Sequence, residues 1–501
     1  MKKFMISIGV GALIFAIWFV TLFVGKSIGL SILLFIVPFS YFFIYILEKN
    51  GKIKNKKAKF LLVPIILLSS TYFVFNNVFF NICNLVIIFT LLILMILILL
   101  EGKLLINPDL IEKFFGLIIT PIDSIGESFK IIKETIYTKK NTYLTENEEK
   151  KKKMKKIFKA FLVALPIIVV VTILLATADE IFANIFETFF NWLNNLFRPL
   201  EKVDSSIIVV RIILGTILFF YFIGLFYYTC LKYELKNEEN IIKEKTNDNF
   251  TTKIVLISLN IIYLVFCYIQ IKSLFLKNTT LRNVTFNYAE YARQGFFQLM
   301  VVSFINLVTI LIAKKRENKD DYKTNSFINY MTIIMIMFTF IIVISAGVRM
   351  HFYESAYGYT LLRLLVYCTL FTESILFIPT ILFILDKKIN LIKSYFIIII
   401  SVYICMNFMN FDNIIAKRNV DRYFEKDEID LNYLEIATGT DAVNQIIRII
   451  NEPKASMDVK KEAKKYLIDL YKSLDDYSEN KDFRDFNISK IRARKLIRQN
   501  Y

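Results

Sequence analysis

ICNLVIIFTLLILMILILL, residues 82–100, runs for nineteen residues without a charged side chain. Its polar residues, Cys83, Asn84 and Thr90, all fall in the first half. At 1.5 Å per residue, a helix of this length spans the hydrocarbon core of a bilayer, about 30 Å thick. The stretch is apolar on every side and lacks the alternation of a barrel strand. In lipid the backbone must satisfy its own hydrogen bonds, so the segment reads as a transmembrane helix.

The same reading places eleven spans, at 4–24, 28–47, 60–75, 82–100, 157–176, 207–230, 254–276, 296–313, 327–347, 360–385 and 392–411. The composition agrees: 56% of the chain is hydrophobic and 21% charged, against about 45–50% and about 25% for soluble chains. The first block follows Lys2 and Lys3 and has no small-residue cleavage site, so it reads as a retained span rather than a leader. Pro38, Pro64, Pro166 and Pro379 lie within spans and predict kinks. The expected fold class is all-α: a polytopic transmembrane helix bundle of about eleven spans with a small C-terminal helical domain.

The formal charge is +18. Lys49, Lys52, Lys54, Lys56, Lys57 and Lys59 follow the second span, and Lys232, Lys236, Lys243 and Lys245 the sixth. Lys314, Lys315, Arg316, Lys319 and Lys323 follow the eighth, and Lys387, Lys388 and Lys393 the tenth. The intervening loops are poor in such residues, which predicts a cytoplasmic N-terminus and cytoplasmic even-numbered loops in a plasma membrane. Eleven spans then put the C-terminal domain outside the cell. No nucleic-acid motif accompanies the charge, so the expected partner is the lipid bilayer. The run Lys150–Lys156 suits anionic lipid, although an ordinary stop-transfer flank has the same composition.

Four blocks follow: 1–100 with spans one to four, a cytoplasmic amphipathic and basic loop at 101–156, 157–411 with spans five to eleven, and 412–501. Within the third block, 180–197 repeats apolar residues every three or four positions, as in a helix lying in the interface or re-entering it. The last block is charged, lacks a span and carries helical patterns broken at Pro453.

Five cysteines without a CxxC pair and one histidine argue against a disulfide framework, a zinc site or a multi-histidine metal centre. No P-loop, G-x-G-x-x-G, G-x-S-x-G or H-E-x-x-H is present, and no cofactor is implied. Ionisable residues inside a membrane are costly and become the pointers to a site. Glu290 and Arg293 are three apart at the start of the eighth span and suit an ion pair. Arg349, His351, Glu354 and Arg363 concentrate between the ninth and tenth spans, where anchoring of span ends is the competing reading. Glu373 lies mid-span, with Arg363, Arg293 or Arg349 as candidate partners. These seven residues are the candidate polar cavity, facing outward on the topology above. Arg211, one turn into the sixth span, suits outward snorkelling.

Five segments carry a resemblance: NYAEYARQGFFQL from Asn287, RMHFYESAYGYTLLR from Arg349, NFDNIIAKRNVDRY from Asn410, DLNYL from Asp430 and FNISKIRA from Phe486. In this order they resemble a bacterial membrane family, the domain-of-unknown-function 4173 family, related to the 4153 one. The resemblance implies a multi-span inner-membrane protein whose tail belongs with its spans, and it carries no catalytic residue. Asp412, Asn419 and Arg422 are the candidate tail-docking residues, expected to pack against the outer clusters. Three functions stand open: a transporter-like protein with a polar outer-facing cavity, a non-catalytic sensor or scaffold of the cell envelope, and a membrane enzyme acting on a lipid-linked substrate.

Overall fold

The computed structural model describes residues 2–25, 28–102, 113–122, 124–125, 205–233, 249–274, 288–315, 322–385, 389–426, 434, 439–479 and 483–500. The helices are α1 (Lys2–Phe23), α2 (Leu30–Lys49), α3 (Leu62–Val74), α4 (Val78–Glu101), α5 (Ser205–Tyr227) and α6 (Asn249–Leu274). They continue with α7 (Tyr288–Lys315), α8 (Tyr322–Tyr357), α9 (Leu361–Leu385) and α10 (Leu391–Phe408). The tail adds α11 (Phe411–Lys426), α12 (Val443–Asn451), α13 (Met457–Glu479) and α14 (Ile488–Asn500).

Among the described residues, nine helices are long and apolar enough to cross a membrane. They answer nine of the eleven spans read from the sequence. The stretch 296–313 falls on α7, whose described apolar part, Gln298–Lys314, is shorter. The span at 157–176, the helix at 180–197 and Lys150–Lys156 lie outside the described residues. Hydroxyls within the spans bond back to their own helix: Ser40, Ser69, Thr90 and Thr380 each donate to the carbonyl four residues earlier, at 2.7–2.8 Å.

The chain forms two compact units, whose boundaries cut across the linear blocks. The first holds Met1–Phe73, Ile82–Asn237 and Asp482–Phe486. Its core is aromatic: Phe15 packs on Phe35, Phe39 and Phe42, and Phe226 on Phe39, Phe42 and Phe43, with centroids 5.1–6.2 Å apart. At the end of α4, Glu101 pairs with Lys113 at 3.0 Å and accepts from Tyr233 at 2.5 Å. Arg211 donates to the Val24 carbonyl at 3.2 Å, just beyond the end of α1.

The second unit holds Val74–Asn81, Glu238–Lys481 and Asn487–Tyr501. Here α8 packs against α6, α7 and α9, and α9 also meets α7, α10 and α11. This unit holds several spans together with most of the tail. The tail has its own core, built from Ala416, Val420 and Tyr423 of α11, Val443, Ile446 and Ile449 of α12, Ala463 and Leu467 of α13, and Ala493 and Ile497 of α14. Leu467 is fully buried there. Leu467→Ala is expected to destabilise the tail by about 2–5 kcal/mol. Limited proteolysis of the full-length protein in detergent measures this as faster cleavage beyond α11 with the spans intact.

Candidate functional site

The site grows from one long helix. α8 has 36 residues, so at 1.5 Å per residue it runs about 54 Å, well beyond a hydrocarbon core of about 30 Å. The sequence reading ended this span at 347, but the helix continues through Arg349–Tyr357. A helix end leaves four carbonyls without intrahelical donors and carries the negative end of the dipole. Here that end is met by cations. Arg363 donates to the Tyr357 carbonyl at 3.0 Å and to the Gly358 carbonyl. Arg422 donates to the Ala356 carbonyl at 2.7 Å, and Lys426 to the Ser355 carbonyl at 3.1 Å.

The turn from α8 to α9 is then locked by the tail. Asn419 accepts from the Tyr359 amide and donates to the Tyr359 carbonyl, both at 2.8 Å. Gly358 has φ +81°, and a Cβ there would lie 2.7 Å from Asn419 Oδ1, so both backbone conformation and space require glycine. Arg363 also stacks over Tyr353, 4.4 Å from its ring centre. Glu354 is buried and accepts from Tyr359 and Tyr367. Burial, then Glu354, pushes the Tyr359 hydroxyl up to about 12.

Asp412 opens a second knot. Asn410, with φ 50°, turns the chain from α10 into α11, and its side chain caps the new helix by accepting from the Asn413 amide at 3.2 Å. Asp412, 2% exposed, accepts from Asn77 Nδ2 at 2.6 Å and from the Gly439 amide at 3.4 Å. Asp441 accepts from the Asn76 amide at 2.9 Å and from Ser489. Asn487 donates to the Phe75 carbonyl at 2.9 Å. Phe411 stacks on Phe80 with centroids 5.4 Å apart. Residues 75–77, between α3 and α4, are thus held by three parts of the tail. Burial pushes Asp412 up to about 6 and raises Asp441 as well.

Glu373 lies apart from both knots, ten residues or about 15 Å along α9 from Arg363. It is 5% exposed. Among the described residues its hydrogen-bond partner is Ser303 of α7. One turn further along α7, Asn306 accepts from Tyr263 at 2.5 Å and donates to Thr339 at 2.9 Å. Of the arginine partners suggested by the sequence, Arg363 turns instead to carbonyls of the α8–α9 turn.

The seven cavity candidates therefore divide. Glu354 and Arg363 share the α8–α9 turn with the tail residues Asn419 and Arg422. Arg349 is half-buried one turn before Tyr353. His351 is exposed against Phe352, on a different face from buried Met350 and Glu354. Glu290 and Arg293 stand in the first turns of α7, with side chains outside the described set. Among the described residues, no group of three His, Cys, Asp or Glu side chains suits a metal ion.

The sequence that builds these spans, the α8–α9 turn and the tail matches one family along most of its length. The match, to "Domain of unknown function (DUF4153)", covers residues 62–449. The chain belongs to the DUF4153 family. This corrects the 4173 number attached to the resemblance. Neither a curated protein nor a solved structure matches the chain. This DUF4153 protein is a multi-pass membrane protein.

Charge alone does not single out several residues of these clusters in the DUF4153 chain. Ser303, Asn306, Thr339 and Tyr263 are neutral, yet buried polar groups in lipid need partners as charges do. Ser303 and Asn306, three apart in an apolar stretch, are the local signal of that need. Asn77 lies 335 positions from its partner Asp412, and Asn76 lies 365 from Asp441, so no local pattern joins them.

Two outcomes follow from this geometry. Gly358→Ala is expected to cost at least about 1–2 kcal/mol for the left-handed backbone, read as a lower unfolding temperature of the detergent-solubilised protein. The folded carboxyl of Asp412 titrates above its unfolded value, so the fold binds its proton more tightly than the unfolded chain does. Stability is therefore expected to rise as pH falls from about 6 towards about 4, the unfolded aspartate value. Resistance of the tail to proteolysis across that window measures it, and Asp412→Asn is expected to shrink the dependence.

Proposed function

We propose that this protein is a non-catalytic membrane sensor or scaffold of the bacterial cell envelope, in which the tail reports its state to the spans through the α8–α9 turn. One observation carries the reading: Asn419, Arg422 and Lys426 of the tail satisfy the backbone at the end of α8 and the start of the turn. A shift of the tail breaks those hydrogen bonds, so a partner that pulls or rotates it acts directly on α8 and α9. The charges of the turn support the same reading, because Glu354 and Arg363 are engaged with neighbouring groups. The lysine-rich even-numbered loops support a plasma-membrane protein with its N-terminus in the cytoplasm and its tail outside. Lys150–Lys156 supplies a contact for anionic lipid on the cytoplasmic face.

A transporter-like function is the second reading. It is favoured by Glu373–Ser303 and Tyr263–Asn306–Thr339, polar contacts at successive turns of α7.

Asn419→Ala separates the two readings. It removes two hydrogen bonds, each worth about 0.5–1.5 kcal/mol, and is expected to free the tail for proteolysis while the protein stays in the membrane. A strain lacking the protein and carrying this variant is expected to keep its envelope-stress defect. Full rescue with a detached tail would overturn the sensor reading. Membrane-impermeant thiol labelling of a cysteine placed at exposed Ile468 tests the topology: labelling in intact cells is expected, and labelling only after lysis reverses the orientation.

A further inference from the structure

Glu373 sits mid-way along α9 and is buried against α7. Its partner, the Ser303 hydroxyl, has a single proton to give. That hydroxyl also lies 2.8 Å from the Met300 carbonyl on its own helix. A carbonyl cannot donate, so the proton in the Met300 contact belongs to Ser303. The contact between Ser303 Oγ and Glu373 Oε2 then requires its proton from the carboxyl. In the opposite assignment, Ser303 donates to an ionised Glu373. That leaves a full negative charge inside the membrane with one hydroxyl as its partner, the costlier arrangement.

Among the described residues, the mid-span stretches of the helices packed on α9 carry no cation to offset that charge. From Gln298 to Ala313 in α7, Ser326 to Val348 in α8 and Ser394 to Phe408 in α10, no residue is charged. The charged groups of these helices stand at their ends. Arg293 and Lys314 are ten and eleven residues from Ser303 along α7, about 15 Å. Arg349 and Glu354 are near the end of α8, and Lys393 starts α10. Arg363 on α9 is bound to the Tyr357 and Gly358 carbonyls. The charged residues of α11, from Asp412 to Lys426, belong to the tail helix beyond the span. The tyrosines are also engaged: Tyr395 bonds Thr380 at 2.5 Å, and Tyr367 bonds Glu354.

We propose that Glu373 is a proton-binding site in the membrane interior, a carboxylic acid that donates its proton to Ser303 Oγ and so holds α9 against α7. The ligand is a proton. Its loss would place a lone charge in the α7–α9 contact, which makes that contact a proton-controlled joint. The inference stands independently of the tail, since neither residue belongs to it.

The test is an infrared difference spectrum of full-length protein in lipid nanodiscs at neutral pH, wild type minus Glu373→Gln. The expected result is a protonated-carboxyl C=O band present in wild type, lost in the variant and shifted on exchange into heavy water. A pair of carboxylate bands in its place would overturn the proposal. Ser303→Ala supplies a second measurement should Glu373→Gln fail to fold. Loss of the hydrogen bond to Oγ is expected to move the carboxyl band to higher frequency. An unmoved band, or no carboxyl band in wild type that responds to Ser303→Ala, would also overturn it.

Discussion

A peptide group in hydrocarbon has no water to bond, and this constraint governs the protein from its spans to its tail. Inside a span the helix meets it unaided, and serines and threonines follow suit by bonding to their own helix's carbonyls. At a helix end it cannot be met locally. The end of α8 shows the consequence: a guanidinium from the next span and two cations from the tail converge on four successive carbonyls, Ser355 to Gly358. A helix C-terminus attracts positive charge in any case.

Several features that invite a catalytic reading are accounted for by this requirement. Arginine suits carboxylate and phosphate ligands, but its fork of donors suits backbone carbonyls equally well. Glu354 accepts from two tyrosines and Arg363 covers the α8–α9 turn, so the charged cluster acts as a fastener between spans and tail. Asp412 and Asp441 play the corresponding part at residues 75–77. There two carboxylates bind amide and hydroxyl donors, and burial makes both easier to protonate. Glu373 differs in kind. It closes no helix end and is held by a hydroxyl, which leaves proton binding as its distinguishing chemistry.

Membership in the DUF4153 family spans residues 62–449, which includes most transmembrane helices and the tail as far as α12. The family match and the interlock agree in treating spans and tail as parts of one design. The α7–α9 contact, on the proposal for Glu373, offers a second point at which the state of the bundle can be set, by a proton rather than by a partner.

The amino-acid sequence determined the membrane class, the helical fold and nine of the spans, because length and hydropathy are local quantities and lipid permits few backbone solutions. It also marked Glu354, Arg363 and Glu373 as costly enough to need partners, and a resemblance marked Asp412, Asn419 and Arg422 as docking residues of the tail. Which partners they take was decided by tertiary structure alone. Arg363 could have met Glu373 on composition, but the α8–α9 turn offers it carbonyls close by and Glu373 is about 15 Å away along the helix. Asn77 and Asp412 meet across hundreds of residues because the chain returns its tail to a turn between two early spans. Hydrogen bonds are short-ranged and directional, so their pairing depends on where helices end in space, a property that no local stretch of sequence contains.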